Sequence, residues 1–133
     1  MLFDRFNLSS NIFEIVFATK QQALVAKLLI DEIKSNNNEI NKTQMSRFAE
    51  KLHNGDVHIN IKESDSSIKK VKISYNKRQF YDRIVTPMKS MGLIELDLYK
   101  KTYKISNSFA RAIEDIGKIW LNEINENAKK DHS

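Results

Sequence analysis

From Thr19 to Ile33 the chain is apolar on almost every side. Ala23, Leu24, Val25, Ala26, Leu28, Leu29, Ile30 and Ile33 predict a central buried helix. A polar break follows at Ser35-Asn36-Asn37-Asn38. Met45, Phe48, Ala49 and Leu52 then recur at the i, i+3, i+4, i+7 spacing of a surface helix, which Asn54-Gly55 stops. A third helix is predicted over 77–91, with Phe80, Ile84, Met88 and Met91 on one side and Gly92 as its stop. All three starts carry one signature, a polar cap followed three residues on by Gln: Thr19 with Gln22, Asn41 with Gln44, Asn76 with Gln79. That spacing satisfies the first free amides of a helix. Upstream, Ile12 to Phe17 reads equally as a short strand or as a helical turn packed on the core.

Two stretches alternate instead. In 57–75, Val57, Ile59 and Ile61 face Val71, Ile73 and Tyr75 across a polar turn at Glu63–Ser67, which predicts a β-hairpin. Pairing Ile61 with Val71 and Ile59 with Ile73 gives one apolar face and sets His58, Asn60, Lys62, Lys70 and Lys72 on the other. This places Lys62 opposite Lys70, an unfavourable like-charge pair. Either the register differs, the face meets an anion, or the two lysines splay into solvent. The second hairpin, 93–106, is expected to pair Leu98 with Tyr103, Leu96 with Ile105 and Asp97 with Lys104. Its loop is then Tyr99-Lys100-Lys101-Thr102, since Lys-Lys is poor at the positive φ values of a two-residue turn.

The last segment, 107–129, is a long amphipathic helix with Phe109, Ala112, Ile113, Ile116, Ile119, Trp120 and Ile124 in its stripe, ending in a polar tail expected to fray. Either this stripe packs back on the 19–33 helix, or Ile116, Trp120 and Ile124 form a homodimer interface, with the N-terminal segment as a further contributor.

Within the 77–91 helix, Arg78, Gln79, Asp82, Arg83, Thr86, Lys89 and Ser90 lie opposite the apolar side at about 100° per residue. Pro87 lacks the amide that would bond back to Arg83, so it is expected to kink the helix or split off its last turn, leaving a body from 77 to about 86. Arginine suits guanine edges and glutamine adenine edges in a DNA major groove, so Arg78, Gln79 and Arg83 are candidate base readers, with Lys77 near the helix start. Asp82 opposes that role unless it positions an arginine. Lys100 and Lys101, at an exposed hairpin tip, can reach a phosphate or a minor groove.

Composition narrows the partners. The 133 residues carry a formal charge of +5, and the pI of about 9.4 favours an anionic partner. No stretch approaches the ~18 apolar residues of a membrane helix. Met1-Leu2-Phe3-Asp4-Arg5 lacks the order of a signal peptide, and a cytoplasmic location is expected. Without cysteine there are no disulfides and no thiolate ligands or nucleophiles. His53, His58 and His132 have no metal-ligand spacing and read as surface or turn residues. Only 3 glycines are present, and none builds a phosphate loop. Glu63 and Asp65 beside Lys62 read as a turn rather than as a nuclease site. Neither a catalytic set, a metal nor a cofactor is expected.

Ser74-Tyr75-Asn76-Lys77-Arg78-Gln79-Phe80-Tyr81, then Met88-Lys89-Ser90-Met91-Gly92-Leu93-Ile94-Glu95, then Tyr103-Lys104-Ile105-Ser106, resembles the winged helix-turn-helix domains of prokaryotic transcription regulators, small archaeal ones included. Met91 and Ile105 stand where those families usually carry leucine. The resemblance covers about residues 19–106. It implies a winged helix-turn-helix fold, α+β and mostly helical. One departure is clear: such domains have only a few residues between the second and third helices, whereas here an extra β-hairpin (57–75) is expected there, with a long C-terminal helix after the wing, in one domain spanning 1–133. It implies base reading by Arg78, Gln79 and Arg83, phosphate contacts by Lys77 and Lys89, backbone docking by Lys42, Thr43 and Gln44, and a wing contact by Lys100 and Lys101. The expected function is sequence-specific double-stranded DNA binding in transcription regulation. The alternatives are a protein-interaction adaptor on the same fold and a plasmid or viral replication-initiation protein.

Overall fold

The computed structural model describes residues 3–131. They form an α+β fold of α1 (Ile12–Val16), α2 (Lys20–Ser35), β1 (Glu39–Asn41), α3 (Lys42–His53), β2 (Val57–Lys62), β3 (Ile68–Ile73), α4 (Lys77–Phe80), a π-helical turn (Tyr81–Val85), α5 (Thr86–Met91), β4 (Ile94–Asp97), β5 (Thr102–Ile105) and α6 (Ser108–Asp131). The ambiguous stretch after Asn11 is helical, because Asn11 Oδ1 accepts the Phe13 amide at 3.0 Å and starts a turn.

The three Gln-spaced helix starts are real. Thr19 Oγ1 accepts from Gln22 N at 3.1 Å, Asn41 Oδ1 from Gln44 N at 2.7 Å, and Asn76 Oδ1 from Gln79 N at 3.0 Å. At Asn41 the box is reciprocal, with Gln44 Oε1 accepting the Asn41 amide at 2.8 Å. The core lies around α2, whose Val25, Ala26, Leu29 and Ile33 are fully buried. α1, β1, β5 and the π turn pack on it. Phe48 of α3 meets Phe80 of α4 at a ring separation of 5.7 Å, which fixes how the two helices approach.

The strands form two sheets. β1, β5 and β4 make a three-stranded antiparallel sheet in that order, and β2–β3 is a separate ribbon. Both hairpins fold at the expected place but two residues out of the expected register. In the first, Ile59 pairs with Val71, Ile61 with Lys69 and Lys62 with Ile68, so Lys62 does not face Lys70 and Tyr75 lies beyond the strand. The loop is 63–67, at the expected polar turn, closed by Asp65 Oδ1, which accepts from the Ser67 amide at 3.0 Å and its hydroxyl at 2.6 Å. In the second, Ile94 pairs with Ile105, Leu96 with Tyr103 and Asp97 with Thr102. Glu95, not Asp97, faces Lys104. Asp97 Oδ1 instead accepts the Tyr99 and Lys100 amides at 2.9 and 3.0 Å, and Lys101 turns left-handed at φ 56°. The loop is therefore 98–101, and Leu98 is exposed rather than paired.

Between Asn76 and Gly92 the chain stays helical but changes pitch. Tyr81–Val85 form a π turn, and the Thr86 amide bonds to Tyr81 O, five residues back. Pro87 then falls at the second position of α5, where a missing amide costs little. The proline thus starts a new helical segment, and the change of pitch comes earlier than position 86. Gly92 ends the helix at φ 83°, with Leu93 N on Met88 O at 2.9 Å. A Cβ at Gly92 would come within 2.8 Å of Phe109 N, so glycine is needed there for space as well as conformation.

α6 corrects one alternative. It does not lie back along α2; its principal packing partner is α5. From Ala110 to Glu126 every residue is exposed. The helix runs on through Asp131, and positions 132–133 of the expected tail, His132 among them, lie outside the described residues.

Candidate nucleic-acid interface

The helical stretch Lys77–Met91 buries Phe80, Ile84, Val85 and Met88 and turns Arg78, Gln79, Asp82, Arg83, Thr86, Lys89 and Ser90 outward. Burial of the first set on α2 and α3 fixes the orientation of the second. The Arg78 side chain is 91% exposed, and its Nε lies 3.8 Å from Asp82 Oδ2 one turn on, a long and solvated pair. Gln79, Arg83 and Lys89 are exposed. What this face offers is two guanidiniums, a carboxamide and an ammonium, all able to donate hydrogen bonds.

Lys77 is placed differently. It is half-buried, its ammonium is paired with Glu50 of α3, and its backbone amide donates to His53 Nδ1 at 3.1 Å. The Glu50 hydrogen bond raises the Lys77 pKa above its ordinary 10.5, and the same bond holds Glu50 below its ordinary 4.5. Periodicity alone does not single out Glu50 or His53. A histidine in a helix's last turn is expected to donate to its own helix's carbonyls, whereas His53 accepts the amide that opens α4.

A second cluster forms at the other end of the sheet. β1 pairs with β5, Glu39 facing Lys104 and Asn41 facing Thr102, so the start of α3 sits beside the β4–β5 loop. The Lys42 amide donates to Lys101 O at 3.2 Å. Lys42, Thr43, Lys100 and Lys101 are exposed around this junction. Gln44 is not available in the same way: besides its bond with Asn41, its Nε2 donates to Asn36 Oδ1 at 3.3 Å. The loop itself is held by Asp97, whose pKa is lowered first by the Lys100 amide and then by that of Tyr99.

The β4–β5 hairpin is tied to α6 through Glu95. Its Oε1 accepts from Ser106 Oγ at 2.6 Å and Ser108 Oγ at 2.7 Å, and Ser106 Oγ accepts the Ser108 amide at 3.1 Å. The two hydroxyls lower the pKa of Glu95. Beside this junction an apolar pocket of about 230 Å³ is lined by Phe3, Leu8, Ile12, Ile15, Phe109 and Ile113.

Among the described residues no group of three or more His, Asp or Glu side chains could hold a metal ion, and no helix is long and apolar enough to cross a membrane. Comparison of the chain with protein-family models, with curated proteins and with solved structures finds no match in any of the three.

Proposed function

We propose that this chain is a non-enzymatic, sequence-specific double-stranded DNA-binding protein of winged helix-turn-helix type, a transcription regulator that acts as a homodimer. One observation carries the reading. The outward face of the 77–91 helix presents Arg78, Gln79, Arg83 and Lys89, and the chain turns at Gly92 straight into a hairpin whose tip holds Lys100 and Lys101 next to Lys42. The order of the elements supports it. Helix, short strand, helix, helix and hairpin, with the first strand paired to the last, puts the helix and the hairpin tip on elements braced by one core.

Binding begins with long-range attraction between the cationic surface and phosphate, and affinity falls steeply as salt rises. Arg78, Gln79 and Arg83 then read base edges, while Lys89, Lys42, Lys100 and Lys101 fix position on the backbone. Lys77 reaches a phosphate only by giving up Glu50.

The dimer rests on exposed apolar surface. The α6 residues Ile113, Ile116, Ile119, Trp120, Leu121 and Ile124 are 37–67% exposed, and Phe3, Leu8 and Ile12, which share a pocket with Phe109 and Ile113, add side chains 38–63% exposed. On α6 the apolar arc spans about 200°, where a helix packed on one core needs roughly 100°. Exposed apolar side chains repeated along one helix in this way are the kind of surface that marks a protein–protein contact. A second copy supplies the same surface through a two-fold axis.

The test is selection of bound sequences from a random duplex pool at moderate salt. The expected result is an enriched motif with two-fold symmetry and half-sites about one helical turn apart. Failure of salt-sensitive binding to any duplex overturns the reading and favours the protein-interaction adaptor.

A further inference from the structure

The β2–β3 ribbon has no part in the contacts assigned above. Its only extensive packing is of one strand on the other. One face carries Val57, Ile59, Val71 and Ile73, half-buried toward the base of the ribbon. The opposite face carries His58, Asn60, Lys62, Lys70 and Lys72, all exposed, with His58 directly across from Lys72, Asn60 across from Lys70 and the exposed Ile68 across from Lys62, while Lys69 lies on the first face opposite Ile61. Among the described residues none of these lysines makes an ion pair. The register sets His58, Asn60 and Ile68 opposite Lys72, Lys70 and Lys62, so the three ammonium groups have no carboxylate across the ribbon. An external polyanion supplies the missing counter-charge.

The ribbon is also aimed. The Tyr75 amide donates to Leu52 O at 3.0 Å, and Gln21 Nε2 donates to Ser74 O at 3.3 Å. Tyr75 is buried immediately before the Asn76 cap. The Lys72 side chain lies over Gly55, where a Cβ would come within 2.3 Å of Lys72 Cε. The base is thus fixed to α2, α3 and the start of the helix that carries Arg78. The tip is acidic, with Glu63 and Asp65, so any contact with phosphate uses the flank of the ribbon rather than its end.

We propose that the Lys62–Lys70–Lys72 face is a second phosphate-contacting arm for the same duplex, laid along the backbone beside the groove that the 77–91 helix enters. This rests on the DNA-binding reading above. From the His58–Lys72 pair to Lys62 is four residue steps, about 13 Å. At about 3.4 Å of rise per base pair, each arm lengthens the contacted duplex by up to about 4 base pairs.

The experiment compares the full chain with the triple variant Lys62→Gln, Lys70→Gln, Lys72→Gln. Binding to mixed-sequence duplex is measured over a salt series, and again with duplexes of decreasing length. All three positions are exposed, and unchanged circular dichroism melting verifies the fold. The expected result is a log-log salt slope shallower by about 2–3, roughly one for each phosphate that the variant no longer neutralises. The shortest duplex bound at full affinity should also shrink by up to about 4 base pairs per arm. Parent-like slope and length requirement in the triple variant overturn the arm while leaving the DNA-binding reading intact. A parent chain that binds no duplex overturns both.

Discussion

The backbone amide of Lys42 donates to the carbonyl of Lys101 at 3.2 Å, joining the first residue of α3 to the loop between β4 and β5. The bond needs neither side chain, so both ammonium groups stay available at a junction held by the backbone. It also helps hold the left-handed backbone at that position. Lys101 at φ 56° closes the four-residue loop that Asp97 opens.

The first prediction follows from that conformation. Lys101→Gly removes a charge at a position whose φ glycine adopts at no steric cost, so stability should be kept or raised while DNA affinity falls. The loss should be the same on all duplexes, with the salt slope reduced by about 1, because a phosphate contact carries no sequence information. Fluorescence titration at several salt concentrations measures both. A sequence-dependent loss would move Lys101 from the backbone to the bases.

Lys77 and Arg78 are adjacent in sequence and should differ in effect. Arg78→Ala should cost ~1–3 kcal/mol on the selected site and relax its specificity. Lys77→Ala should cost less, because Glu50 already competes for that ammonium. Glu50→Gln should raise affinity for every duplex by freeing Lys77. The same pair sets a pH dependence. Glu50 has a lowered pKa in the fold, so its contribution to stability is present above the ordinary 4.5 and lost as pH falls through the lower folded value. Lys77 has a raised pKa, so its contribution is present below the ordinary 10.5 and lost as pH rises through the higher folded value. The melting temperature difference between the parent and Glu50→Gln should therefore vanish at both extremes. A difference that persists well below the folded Glu50 value would show that the substitution acts by another route.

Glycine substitutions should separate two kinds of turn. Gly92→Ala meets both a φ of 83° and backbone crowding, with Phe109 N at 2.8 Å, and should cost about 1–3 kcal/mol. Gly55→Ala has a similar φ of 71°, but its contact is the flexible end of Lys72, which can swing away. Its cost should be the smaller of the two in urea denaturation. A larger loss at position 55 would mean that the Lys72 side chain is held over Gly55 rather than resting there.

The contrast between helices and hairpins explains what the chain reveals on inspection. Thr19, Asn41 and Asn76 are legible as helix starts because a cap and its Gln act within four residues, and no distant contact is needed to read them. The registers of β2–β3 and β4–β5 are not legible in that way. A shift of two residues keeps every side chain on its face, so alternation fits either pairing equally well. Turn chemistry decides instead: Asp65 and Asp97 each bind amides just downstream and close their loops early. The π turn at Tyr81–Val85 is half legible, since Pro87 marks an irregularity without saying that the chain absorbs it upstream. At the candidate interface, the exposed face with Arg78 and Arg83 follows from helical periodicity alone. The Glu50–Lys77 pair and the Lys42–Lys101 junction arise only when separate elements meet.

The last prediction concerns α6. Trp120 is the sole tryptophan and is 63% exposed, so its emission in an isolated chain should lie at the wavelength of a hydrated indole. If α6 pairs with a second copy, emission should shift to the blue as protein concentration rises, and sedimentation should give twice the 15.5 kDa chain mass. Ile116→Asp places a carboxylate in the middle of the apolar arc, where the monomer leaves it solvated and a dimer must desolvate it. The variant should therefore melt like the parent at low concentration yet remain monomeric at high concentration, with red emission throughout. On DNA it should lose the affinity gained by binding two half-sites while keeping contact with one. A parent chain that is monomeric at every concentration, with a red emission maximum that does not move, would rule out the second copy as the occupant of this face.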